Sequence, residues 1–118
     1  MKASLFGIAC LTTLLFNVDI VEANDDMSAR IAEGKELAFN RKKGNCLTCH
    51  RIEGGSLVGN GGPPLVQMKY RYPDKKTLRS QISDSTVRNP MTIMPPFGRH
   101  EILTPSELDL VTDFIYSL

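Results

Sequence analysis

The sequence predicts an all-α domain in which a few helices are joined by long loops. Three observations carry that expectation. Apolar residues recur at helical spacing near residues 26–39, 74–85 and 104–118. Glycine and proline crowd the stretches between them, at residues 53–65 and 88–98. No stretch reads as a sheet strand, and there is no internal repeat.

The first helix is expected from Asp26 or Ser28 to Phe39, on the spacing of Ile31, Gly34, Leu37 and Ala38. A glycine inside a helix costs about 1 kcal/mol relative to alanine. Close approach of another helix is one reason to keep Gly34; a local kink is the alternative. A second helix should begin at Asp74, after Pro73, with Asp74 as its cap and Leu78 and Ile82 on one face. It should end near residues 83–85. A minor helical turn is expected over residues 65–69. The last helix has the clearest start: Thr104 as N-cap, Pro105 at N1 and Glu107 at N3 make a capping box. Leu108, Val111, Phe114 or Ile115, and Leu118 then form its apolar stripe. Its expected partner is the Ile31-Gly34-Ala38 face, with the two helices crossing at Gly34.

The start of the chain reads as an export signal. Lys2 is the basic residue, residues 5–18 are mostly apolar, and Val21-Glu22-Ala23 has the small-x-small form of a cleavage site. Cys10 after Ala9 has too few apolar residues before it for a lipoprotein cysteine. The expected division is a signal peptide at 1–23 and one domain at 24–118, placed in the periplasm with no membrane span retained. The whole chain has 14 basic and 13 acidic residues. Cleavage after Ala23 leaves 13 and 11. That near balance gives no case for a nucleic-acid binder. Arg41, Lys42, Lys43 and Arg51 cluster, however, beside the next motif, either as solvated surface or as charges that steer a partner.

Cys46-Leu47-Thr48-Cys49-His50 is a C-x-x-C-H run, the attachment signal for a c-type haem. Two thiols form thioethers to the porphyrin, and the adjacent imidazole sits under the iron. A redox dithiol would lie beside a βαβ pattern, whereas Asn40-Arg41-Lys42-Lys43-Gly44-Asn45 precedes this one. A zinc site needs about four ligands, and only His50, His100 and Cys10 add to the pair. With Cys10 removed, Cys46 and Cys49 are the only cysteines and no structural disulfide remains. A domain of 95 residues has a marginal core, so the haem should serve as part of it. The apoprotein should fold poorly.

Both loops carry chemistry. An iron-bound histidine needs a partner for its other nitrogen, and a carbonyl in Gly62-Pro63-Pro64-Leu65 is the candidate. An ordinary surface loop is the alternative. In the second loop, Met94 is held by Pro95 and Pro96 in stiff extended chain and is the candidate second axial ligand. Met68, Met91 and His100 are its rivals.

These pieces together resemble class I cytochrome c: Gly34-Lys35-x-Leu37, Cys46-x-x-Cys49-His50, Gly62-Pro63-x-Leu65, Met94-Pro95-x-Phe97 and the terminal helix. The resemblance implies a small all-α fold around one covalently attached haem with His50/Met94 iron. It also implies that the Pro63 carbonyl accepts from His50. Longer stretches resemble the SoxX family of monohaem cytochromes. They are residues 37–46, Gly61-Gly62-Pro63-Pro64-Leu65, and Arg88-Asn89-Pro90 with Met94-Pro95-Pro96-Phe97-Gly98-Arg99-His100. That likeness runs from Gly34 to Leu118 and includes the insert Arg41-Lys42-Lys43-Gly44-Asn45.

The resemblance implies a heterodimer with a SoxA-like haem subunit. The complex conjugates thiosulfate to a cysteine of the SoxYZ carrier, as an L-cysteine S-thiosulfotransferase. This chain would accept electrons from the SoxA-like catalytic haem and relay them to a downstream redox acceptor. Arg41, Lys42, Lys43 and Arg99 are candidate partner contacts. The alternatives are a free-standing periplasmic carrier and a haem enzyme or gas-binding module with an open iron site.

Overall fold

The computed structural model describes residues 19–118. Within them lie α1 (Asp19–Phe39), α2 (Met68–Arg71), α3 (Lys75–Ser83) and α4 (Pro105–Tyr116). Short 3-10 turns at Cys46–Thr48 and Ser85–Val87 add to these, and no strand is present among the described residues. The all-α expectation holds.

The first helix already runs from Asp19, the first described residue, ahead of the expected start at Asp26 or Ser28. No proline or glycine interrupts residues 19–33. Residues 23–29 are all exposed, so the packed part of α1 begins at Arg30. Residues 1–18 of the expected signal peptide lie outside the described residues.

The α1–α4 crossing is where glycine predicts it. Gly34 is buried, and a Cβ built there would overlap the Leu110 carbonyl oxygen and sit 2.9 Å from Phe114 Cβ. Ala38 is fully buried one turn on, and Ile31 is half-buried. Phe39 meets Phe114 edge to face, with ring centroids 5.8 Å apart.

The α4 helix buries both Phe114 and Ile115, where one apolar stripe leaves a choice between them. It has two partners: Phe114 faces α1, whereas Val111 and Ile115 wall an internal cavity. Its start is the expected capping box, with Thr104 accepting from Glu107 N and Glu107 accepting from Thr104 N. The α3 helix is capped as expected, Asp74 accepting from Lys76 N and Thr77 N, and buries Leu78 and Ile82. The minor turn lies at Met68–Arg71 and not at residues 65–69. Leu65 N is taken by the Arg51 carbonyl, and Gln67 has φ 52°, a left-handed conformation that delays the helix.

Periodicity gave no sign of a buried ion cluster. Asp113 on α4 is 3% exposed and pairs with Arg30 of α1 at 2.6 Å and with Lys75 of α3. Burial by itself raises the Asp113 pKa, but hydrogen bonds from Lys75 and Arg30 and their charges outweigh it. They hold the carboxyl below its ordinary range. Asp113→Asn should cost about 1–3 kcal/mol at neutral pH, less than a fully buried pair because both cations touch water. The depressed folded pKa makes this contribution complete above about pH 4 and lost as pH falls through the folded value. Denaturation of parent and variant across pH 2–7 should therefore show a gap that closes in acid. A gap that widens in acid would contradict this assignment.

Candidate functional site

The Cys46–Thr48 turn begins directly after the turn that ends α1. Gly44 N donates to the Leu37 carbonyl and Asn45 N to the Asn40 carbonyl, each at 3.0 Å. Asn45 then adopts φ 49°, a left-handed conformation that asparagine tolerates, and its side chain accepts from Thr48 Oγ1 at 2.7 Å. Cys49 N and His50 N both donate to the Cys46 carbonyl. This tight coil places Cys46, Cys49 and His50 on the wall of one cavity. Burial pushes the Cys46 thiol up to about 11. At neutral pH it is not the thiolate that dithiol exchange requires.

The glycine-rich loop lies flat against this coil. A Cβ on Gly59 would overlap the Thr48 carbonyl oxygen, and one on Gly62 would sit 2.7 Å from His50 Nδ1. Gly62 N donates to the Cys49 carbonyl at 2.8 Å. The absence of a side chain there allows the next carbonyl to reach the ring, and His50 Nδ1 lies 2.7 Å from Pro63 O. A carbonyl only accepts, so Nδ1 carries a proton, and in the neutral ring Nε2 is the nitrogen with the lone pair.

The cavity holds about 570 Å³ and is walled largely by apolar side chains from α3, α4 and both loops. That volume falls within the roughly 300–1,000 Å³ of pockets that enclose a whole small-molecule ligand. Met94 is half-buried and lines it. Among its rivals, Met91 is 88% exposed, and neither Met91 nor His100 reaches the cavity wall. Met68 does line the cavity and is 2% exposed, but its sulfur accepts from Arg71 at 3.4 Å. Both main-chain polar groups of Met94 are held by hydroxyls: Ser85 Oγ donates to its carbonyl at 3.0 Å, and Thr92 Oγ1 accepts from its N–H at 3.1 Å.

Two thiols, one imidazole with a free Nε2 and a thioether therefore share one apolar cavity. This donor set suits a flat iron macrocycle held covalently. No cluster of three or more His, Cys, Asp or Glu suited to a bare metal ion occurs among the described residues.

The basic residues beside the motif divide into two groups. Lys43 pairs with Glu107 of the α4 capping box at 2.8 Å, and Arg99 pairs with Asp84 at 3.1 Å. Arg41, Lys42 and Arg51 are exposed. Sequence reasoning missed Arg71, which donates to the Pro64 carbonyl at 2.8 Å and lines the cavity. Its only signal was its place three residues after Met68, on one helical face. Ser85 had no signal, since its partner is nine residues away.

No helix among the described residues is long and apolar enough to cross a membrane. Residues 31–118 match the family model for cytochrome c. Comparison with curated proteins returns no match.

Proposed function

This chain belongs to the cytochrome c family, and from that premise we propose that it is the electron-accepting monohaem subunit of a periplasmic SoxAX-type complex. Family membership makes it an electron-transfer haem protein with covalently bound haem c. The carrying observation is the single cavity shared by Cys46, Cys49, His50 and Met94, with His50 Nδ1 on the Pro63 carbonyl.

In this reading Cys46 and Cys49 would hold the haem through thioethers, and His50 Nε2 and Met94 Sδ would be the donors to its iron. When bound, the haem supplies a one-electron couple. The Pro63 carbonyl keeps His50 in one tautomer and orientation, which strengthens the imidazole as a donor. The Met94 thioether, a soft donor, would favour the reduced iron and raise its potential relative to a histidine. Leu78, Ile82, Val111 and Ile115 give the cavity an apolar wall.

With His50 and Met94 both given to the iron, the chain would offer substrate no open coordination site. Cys46 and Cys49 are both used in attachment, so neither is free as a sulfur nucleophile. The chain therefore accepts and relays electrons, and thiosulfate conjugation to SoxYZ takes place at the SoxA-like partner. Support for that partner is the SoxX-like run of residues 37–46, 61–65 and 88–100.

Mixing the haem-loaded protein with its cognate SoxA-like cytochrome should give one stable complex. Thiosulfate plus carrier should then reduce this chain's haem. A chain that stays monomeric, or stays oxidised during turnover, is instead a free-standing carrier. The ligand assignment has its own test. Met94→Leu should abolish the near-infrared sulfur-to-iron charge-transfer band of the ferric protein and lower its potential. Loss of the band in Met68→Leu, with retention in Met94→Leu, would assign the wrong sulfur.

A further inference from the structure

The Met94 loop has main-chain support only beyond the methionine, where the Pro96 carbonyl accepts from His100 N at 2.9 Å and the Phe97 carbonyl from Leu103 N at 3.0 Å. Among the described residues, no amide from residue 93 to residue 97 donates to another backbone carbonyl. Pro95 and Pro96 have no N–H to donate. The loop is tied at its ends, by Thr92 N to the Asn89 carbonyl at 3.0 Å and by Gly98 N to the Ser83 carbonyl at 3.0 Å. Between those ends, the Met94 peptide groups depend on Ser85 and Thr92.

Ser85 is placed for this by its own neighbours. It opens the 3-10 turn Ser85–Val87, which Asp84 caps by accepting from Thr86 N. Its carbonyl accepts from Arg88 N and Asn89 N, so the turn is closed on itself. The residue is fully buried, with 0% exposure, and its hydroxyl spans nine positions to reach the Met94 carbonyl. Thr92 is half-buried and holds the N–H side of the same residue. A buried hydroxyl without its acceptor is unfavourable, so this pairing favours one position of the Met94 backbone.

We infer that Ser85 and Thr92 are positioning residues that set how firmly Met94 holds the iron, acting through its main chain without touching the cofactor. The inference rests on the Met94 ligation proposed above. The physical argument is preorganisation. A thioether is a weak neutral ligand that competes with any better donor reaching the cavity, and a loop free to move presents it for less of the time. Fixing both peptide groups of Met94 keeps its sulfur at the iron without adding a contact to it.

Imidazole titration of the ferric, haem-loaded protein reads this directly, because imidazole binds only as the sulfur leaves. One net hydrogen bond corresponds to about a fivefold change. Ser85→Ala and Thr92→Val should each tighten apparent imidazole affinity about fivefold and weaken the charge-transfer band. Thr92→Ser, which keeps the hydroxyl, should return the parent affinity. Thermal unfolding of each variant with haem attached identifies any that fail to fold, and Thr92→Val, at a half-buried site, carries the test if Ser85→Ala is one of them. Imidazole affinities within twofold of the parent, alongside loss of the band in Met94→Leu, would overturn the clamp and leave the ligand assignment standing. Survival of the band in Met94→Leu would overturn the ligand assignment and the clamp with it. Failure of Thr92→Ser to restore affinity would also count against the clamp, since the hydroxyl is the group it requires.

Discussion

Replacing both Cys46 and Cys49 with alanine should leave a chain that neither retains haem nor unfolds cooperatively. The interior explains why. Leu78, Ile82, Val111 and Ile115 are almost fully buried, yet all four also wall the cavity of about 570 Å³. At about 24 cal/mol per Å³, a void of that size approaches 14 kcal/mol, an upper figure because the cavity opens to solvent. Domains of this size are stable by only about 5–15 kcal/mol. Among the described residues no disulfide compensates, since Cys46 and Cys49 are both free. The parent, expressed with haem-maturation machinery, should have the mass of the chain plus one haem and a single sharp thermal transition by circular dichroism. Each single-cysteine variant should lose haem more readily than the parent. A double variant with a sharp transition would show that the cofactor is not part of the core.

Gly34→Leu should destabilise the haem-loaded protein by about 3 kcal/mol, the upper part of the usual range for overpacking. Even the first carbon of a side chain meets the Leu110 carbonyl and lies 2.9 Å from Phe114 Cβ. The obstacle is backbone, which cannot rotate aside as a flexible side chain does. Gly34→Ala should therefore already cost about 1–3 kcal/mol, although alanine is otherwise the better helix former. Chemical denaturation with haem retained measures both. Losses below about 0.5 kcal/mol would mean that the helices do not cross here in solution.

Legibility in the sequence followed the range of each interaction. The caps of α3 and α4 were readable because Asp74, Thr104 and Glu107 act on backbone within three residues. The crossing at Gly34 was readable because a glycine inside an amphipathic helix asks for a neighbour. The attachment motif was readable from local spacing; loop chemistry pointed to a carbonyl among residues 62–65, and only the resemblance to class I cytochrome c picked out Pro63. Other features depend on tertiary placement. The Asp113 cluster joins residues 30, 75 and 113, and α4 buries a second face because a cavity lies against it. The helical run ahead of Asp26 was not legible because residues 19–29 have no packing stripe to announce them, although nothing in their sequence breaks a helix.

The Lys43–Glu107 pair changes how salt should act on encounters with a partner. Five cations, Arg41, Lys42, Lys43 and Arg51 beside the motif and Arg99 in the loop, are candidates for steering or contact when only the sequence is considered. Two of them already face a carboxylate of the same chain. Seen from several ångströms away, each such pair is a dipole, and its field fades faster than that of a single charge. Long-range attraction then falls to Arg41, Lys42 and Arg51. With a Debye length of about 8 Å at physiological ionic strength, association should slow with added salt as expected for about three steering charges, not five.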